Sequence, residues 1–361
     1  MLTPNNHGDY VPYSPIKIED TVVNFVTGAE HVGVLRSTSG NMPTILSGLA
    51  SLVLLGKETA IIEQQFKKTL QNILKLPVNS PSPLVHFVAG SLPATAILHL
   101  KMLTLFGMIC RLPNDPLNRH ARQVLLTRSL SPKSWFVEVW KLLLQYQLPT
   151  PLMLLDHPTS KESFKKQVKA KILDYWEVKL RLEASFLPSL SFFHPQYMSL
   201  DSPHKLWTTA GAKPYEVSKA KIQLMFLGSL YRCGQLTRHW STTNPSGLCS
   251  FPSCTQYNIV ESPEHVLLCC QAYDPTRQKL LSLCQGLQNQ VSLSIINNTL
   301  ATYSNDIIMQ LILDCSAVPE VISSAQCYGD YVYNDIFYIG RTWCYSIHRE
   351  RMKRLRLWNF R

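Results

Sequence analysis

The chain has 361 residues, 45% hydrophobic and 16% charged, with 35 Lys and Arg against 24 Asp and Glu for a formal charge of +11. That much apolar surface excludes a mainly disordered chain, because burying it offsets the entropy of ordering a core, and the length allows two or three domains. The charge is concentrated: residues 161–181 (seven basic, three acidic) and 341–361 (seven basic, one acidic) carry +4 and +6 of it.

No apolar run approaches the roughly 18 residues that cross a bilayer. The nearest, 97–110, is interrupted by His99 and Lys101 and reads as a buried helix. The first twenty residues, with Pro4, Asn5, Asn6, His7, Asp9 and Pro12, lack the apolar centre of a secretory signal. The expectation is an intracellular protein, nuclear or cytoplasmic, with no membrane partner. Ten cysteines are too dilute for a disulfide scaffold, and where they cluster in a reducing compartment they favour metal.

Residues 16–36 alternate as strands, with Ile16, Ile18, Val22, Val23, Phe25, Val32 and Val34 around Glu19-Asp20 and Gly28-Ala29, which predicts a small β meander. After Pro43 the pattern turns helical. Ile62, Phe66, Leu70 and Ile73 form an amphipathic stripe within 58–74. Beyond a Pro-rich connector at 77–83, a helix opens with Pro93 in its first turn and runs through Leu98, Met102, Leu105 and Ile109 to Pro113. Residues 132–148 predict a further helix, and Pro149 and Pro151 a linker. The longest predicted helix is 159–185: Thr159 and Glu162 have capping-box spacing, and Phe164, Val168, Ile172 and Trp176 form its seam, with Lys161, Lys165 and Lys169 alongside. Helices at 215–230, 307–313 and 334–358 complete the reading. The fold class is mostly α, a helical region with a small N-terminal β meander and a zinc-knuckle-like module.

That module rests on Cys249, Cys254, His265 and Cys270, spaced Cys-x4-Cys-x10-His-x4-Cys. Four soft or borderline ligands in one short window suit a tetrahedral zinc site, two cysteines from a knuckle and His plus Cys from a following helix. With every position filled by protein, such a zinc is structural. Gly247 and Pro252 let the knuckle fold back, and Pro263-Glu264 suit a helix start. On a regular helix His265 shares a face with Cys269, whereas Cys270 lies about 100° further round; Cys270 ligates if the helix loosens, and Cys269 is the other choice.

At the C-terminus, Cys344, Ile347, Leu355 and Trp358 form one helical stripe, with Arg349, Lys353 and Arg356 opposite. A cationic face over an apolar anchor suits nucleic-acid phosphate, and the lysines at 161, 165 and 169 make a second candidate face. Catalytic signatures are missing from the sequence. No adjacent Asp-Asp occurs to hold metals for phosphoryl transfer, Glu58 follows Gly56-Lys57 and breaks a P-loop, and neither G-x-S-x-G nor H-E-x-x-H is present. His31, His86, His99 and His120 stand singly and read as core or surface histidines.

Together these motifs resemble the C-terminal part of the reverse transcriptase of non-LTR (LINE-type) retrotransposons, over nearly the whole chain. Residues 21–37, with Ala29-Glu30-His31-Val32-Gly33-Val34, look like the hairpin that closes the palm. Residues 47–54 and 62–76, and Gly90-Ser91-Leu92-Pro93 through Leu105-Phe106-Gly107-Met108 to Arg111-Leu112, look like the helical thumb and connection, continued by Asp174-Tyr175-Trp176-Glu177. Arg238-His239-Trp240 leads into the cysteine cluster. Glu264-His265-Val266-Leu267 and Cys270-Gln271-Ala272-Tyr273 match the family's His-x4-Cys end, which favours Cys270 as ligand, and Arg341-Thr342-Trp343-Cys344-Tyr345 also fits.

The resemblance implies a palm remnant at 1–45, a thumb-like region at 46–150, a connection at 151–240, a zinc-binding module at 241–285 and a basic helical region at 286–361. It departs from the family in two respects. The endonuclease and the palm with its paired aspartates are expected before this region, and the chain shortens between Ile45 and Leu46. The implied function is a non-catalytic fragment that grips RNA or DNA and uses no small-molecule substrate. A scaffold whose basic helix docks an acidic protein is the alternative, and polymerase activity requires a palm supplied from elsewhere.

Overall fold

In the computed structural model, residues 48–52, 56–127, 134–238, 244 and 246–358 are described, with side chains to 355. The expected β meander, and the whole of 1–45, lie outside them. The described chain is mostly α, and its one pairing of extended backbone is an isolated antiparallel bridge between Leu248 and Val260.

A short 3-10 turn, Gly48–Ser51, precedes α1 (Gly56–Leu74), α2 (Ser82–Ala89) and α3 (Ala94–Cys110). Then follow α4 (Pro116–Thr127), α5 (Trp135–Gln145), α6 (Pro151–Asp156) and α7 (Lys161–Ser185). The first layer is built around α3, which packs against α1, α5, α6 and α7. The sequence explains why α3 takes the centre: apart from Thr95, His99, Lys101 and Thr104 it is apolar, so neighbours cover most of it, and the side with Leu100, Leu105 and Met108 lines a cavity. Phe66, Leu70 and Ile73 of α1 and the whole Phe164, Val168, Ile172 and Trp176 seam of α7 are buried as their spacing required. No described helix is by itself long and apolar enough to cross a membrane; α2 and α3 together would be, but they bend by 59° and both pack into this layer.

The second layer comprises α8 (Lys205–Ala210), α9 (Pro214–Leu227), α10 (Gly234–Thr237) and α11 (Pro252–Thr255), a π turn at His265–Cys269, then α12 (Asp274–Gln285), α13 (Gln290–Thr302), α14 (Asn305–Leu313), α15 (Pro319–Tyr328) and α16 (Tyr331–Trp358). Here α16 is the hub, touching α8, α9, α12, α13, α14, α15 and the π turn. At 28 residues it exceeds α7 at 25, so the longest described helix is the C-terminal one, not the one expected at 159–185. The α7 cap also differs from expectation. Ser160, in extended conformation, accepts from the Ser163 amide at 3.3 Å, which places Glu162 too near the helix start to close the capping box with Thr159.

The layers meet at Gly90. Its φ of +61° terminates α2, and a Cβ there would lie 2.0 Å from the Ser202 carbonyl carbon, so only glycine fits. Beside it the His204 amide donates to Val88 O at 3.2 Å, while the His204 ring caps α8 through Nδ1 and faces the fully buried Asp314 at 3.4 Å.

Candidate metal centre

The site is assembled from three local structures. First, Gly247, at φ +68°, turns the chain so that 247–249 lies against 259–261: the Cys249 amide donates to Ile259 O at 2.8 Å and the Glu261 amide to Gly247 O at 2.9 Å. Second, Pro252 starts the single turn of α11, which lifts Cys254 toward Cys249, and Thr255 Oγ1 ties the turn to Cys249 O at 3.0 Å. Third, the π turn holds His265, whose amide is capped by Ser262 Oγ at 3.0 Å, and Cys270, whose amide donates to His265 O at 2.7 Å. This i→i+5 bond is the loosening that ligation by Cys270 requires, since it brings residue 270 back over residue 265. Cys269 points away, exposed, with Asn305 Nδ2 at 3.8 Å from its sulfur. Of the two open choices, the backbone brings Cys270 to the cluster.

One ligand atom from each of Cys249, Cys254, His265 and Cys270 lies within 4.8 Å of all the others, and all four residues are buried. Cys249 Sγ and Cys254 Sγ are 3.9 and 3.7 Å from Cys270 Sγ. Metal–sulfur bonds of roughly 2.3 Å in a tetrahedron give an edge of about 3.8 Å, whereas a disulfide would close to about 2.0 Å. His265 Nε2 is buried with no hydrogen-bond partner. An orphaned imidazole nitrogen beside three convergent thiols is the arrangement a metal ion satisfies. These residues could therefore hold one four-coordinate ion with no position left for water.

The thiols are already polarised against one another. A hydrogen bond from Cys270 holds Cys249 down at about 4, with His265 assisting and burial acting the other way; the same contact, with burial, raises Cys270. A cation in their midst would favour all three thiolates, releasing protons on binding.

Around the cluster the fold is tightly braced. Glu261, which ends the knuckle pairing, accepts from the Gly234 amide at 2.6 Å and from Arg351 Nε and Nη2 at 3.1 and 2.9 Å. Burial pulls Arg351 down, but the Glu261 carboxylate outweighs it and holds the guanidinium charged. Trp343 Nε1 donates to Leu267 O in the π turn at 3.2 Å, and Arg277 donates to Cys270 O. Thus α16 is bonded to both halves of the knuckle.

The sequence-predicted basic residues fall on two helices. Lys161, Lys165 and Lys169 are exposed on α7; Lys169 pairs with Asp201 at 2.7 Å, and Lys165 and Lys169 line a cavity of ≈ 910 Å³ with Leu70, Leu105 and Met108. Arg349 and Lys353 are exposed on α16, and the Arg356 side chain lies outside the described residues. Part of the C-terminal charge faces inward instead: Arg341 pairs with Glu216 and Arg351 with Glu261, while Arg354 pairs with Glu350 along the helix surface. Arg351 and Glu261 were not singled out from the sequence, although Arg351 stands four residues after Ile347 and four before Leu355, within the apolar stripe, and a charge there signals a buried partner. Of the single histidines, His86 is buried between Ser91 O and Glu63, His99 contacts the Tyr146 hydroxyl at 2.6 Å, His120 is exposed, and His31 lies outside the described residues.

No protein-family model, curated protein or solved structure matches the chain.

Proposed function

We propose that the chain is a non-catalytic, nucleic-acid-binding module of the kind that ends a non-LTR retrotransposon reverse transcriptase, with a structural zinc ion held by Cys249, Cys254, His265 and Cys270. The observation that carries this reading is the cluster itself: three thiols at tetrahedral spacing and an unpartnered His265 nitrogen, in the order and spacing of the resemblance. Zinc is preferred to iron–sulfur or copper because one buried imidazole joins three thiolates around a space for a single ion. Braced against α16, the filled site would hold that helix and its exposed Arg349 and Lys353 in place, and RNA or DNA phosphate is the partner that such cations suit. Lys161 and Lys165 on α7 supply a second positive face. The lack of adjacent aspartates supports a chain that binds without polymerising.

The test is a salt titration of the zinc-loaded protein with RNA and DNA oligonucleotides. Affinity should fall log-linearly with salt, the slope reporting the number of phosphates neutralised. Binding that is undetectable at low salt, or independent of salt, would overturn the reading, and so would primer extension by the isolated chain.

A further inference from the structure

Three tyrosines that the site does not use form one surface. Tyr338 and Tyr345 stand seven residues apart on the same face of α16, about 10 Å along the axis at 1.5 Å per residue, and Tyr215 at the start of α9 packs against Tyr345. Tyr215 is 54% exposed and Tyr338 38% exposed, while Tyr345 is half-buried against the core beneath Tyr215. The Tyr215 and Tyr345 rings meet edge to face at 5.5 Å and 86°. Behind them is Lys219, itself 4% exposed, its ammonium 4.5 Å from the Tyr215 ring and 5.1 Å from the Tyr338 ring. Glu216 at 2.7 Å and Thr342 Oγ1 at 3.4 Å fix that ammonium. The rings are therefore pre-positioned, and little freedom remains to be lost when something stacks on them.

The border of this strip is cationic. Lys213, two residues before Tyr215, and Arg349, four residues after Tyr345, are both exposed. The acid at the centre, Glu216, is neutralised by Lys219 and Arg341. Solvent-facing aromatic rings with cations alongside are what an unpaired base and its phosphate require, since each ring offers a face to stack on and each cation a contact for the backbone. A duplex keeps its base faces covered and cannot use the rings.

We propose that Tyr215, Tyr338 and Tyr345 form a stacking platform for single-stranded nucleic acid, with Lys213 and Arg349 holding the phosphates. This rests on the nucleic-acid reading above and specifies the strand state and the surface. The platform reads no base edge, so recognition is tolerant of sequence.

The experiment measures binding of a fluorescein-labelled oligothymidylate of about 15 nucleotides to the full zinc-loaded chain, and to Tyr215→Leu, Tyr338→Leu and the corresponding Tyr→Phe variants, across a salt series. The substitutions are at exposed positions, and circular dichroism with metal analysis checks that each variant is folded and loaded. Each Leu variant should weaken binding by roughly tenfold with an unchanged salt slope, each Phe variant should bind like the parent, and a labelled duplex of equal length should bind more weakly. Leu variants that bind as tightly as a parent that does bind would overturn the platform and leave the nucleic-acid reading standing. A parent that fails to bind at low salt but binds polyglutamate would remove both, in favour of an acidic protein partner.

Discussion

Single side chains here carry consequences that their neighbours do not. Cys269 and Cys270 are adjacent, yet only Cys270 sits among the ligands. Cys270→Ser should therefore abolish stoichiometric zinc retention after dialysis and lower the melting temperature sharply, since metal affinity is folding free energy at such a site. Cys269→Ser should change neither. Equal loss in both variants would mean that the π turn does not select the ligand. A different residue sets the acid limit of the first layer. Burial, with Lys179 nearby, lowers His99 from 6.5 to about 4, and its ring contacts the Tyr146 hydroxyl, which accepts from Trp176 Nε1 at 3.1 Å. The unfolded chain takes up this proton near 6.5 and the folded chain only near 4, so the contribution is complete above 6.5 and is lost as the pH falls toward 4. The loss should be on the order of 2 kcal/mol. Urea titrations at pH 7 and 4.5 should show it in the parent and a flatter response in His99→Gln, which keeps a polar partner for Tyr146 but does not titrate.

Among the elements, the π turn and α16 decide most. All seven predicted helices lie within a few residues of described ones, because apolar spacing and prolines mark their extents. The π turn could not be read in this way: Val266, Leu267 and Leu268 give no periodic signal, and only the demand that His265 and Cys270 converge revealed that the helix must loosen. Helix α16 was legible as a helix with an apolar stripe under a cationic face, and Cys344 and Ile347 of that stripe are buried. Arg349 and Lys353, expected on the outer face, are exposed, whereas Arg341 and Arg351, for which spacing gave no partner, point inward to Glu216 and Glu261. Breaking a buried pair strands the surviving charge and costs about 3–5 kcal/mol. Arg351→Leu should destabilise the second layer by about that much, and the double variant Arg351→Leu with Glu261→Leu should recover a large part of it, measured by chemical denaturation of the zinc-loaded protein. A double variant as unstable as the single would show that Glu261 matters for its bond to the Gly234 amide rather than for the pair.

For the molecule as a whole, two helical layers, one around α3 and one around α16, are joined where Gly90 meets Ser202 and His204 meets Val88 and Asp314. Because a Cβ at position 90 has no space and the backbone there is left-handed, Gly90→Ala should cost about 2–4 kcal/mol and shift the denaturant midpoint accordingly. The net charge of +11 is also apportioned at this scale. The 24 acids are already set against the 35 basic side chains in that figure, but Arg341 and Arg351 are buried against Glu216 and Glu261, so the salt slope for nucleic-acid binding should report exposed cations such as Arg349 and Lys353 and not these two. Reversal at Arg349 and Lys353 should reduce that slope by up to about two.

The sequence by itself determined that the chain is mostly helical, which helical faces are buried, and that Cys249, Cys254 and His265 with one of two adjacent cysteines could hold a metal, because each follows from spacing along one segment. Tertiary structure brought Cys270 rather than Cys269 to that set, paired Arg341 and Arg351 with buried acids, and placed Tyr215 of α9 against Tyr345 of α16. Each of those depends on which atoms of distant segments meet, and periodicity along the chain carries no information about that.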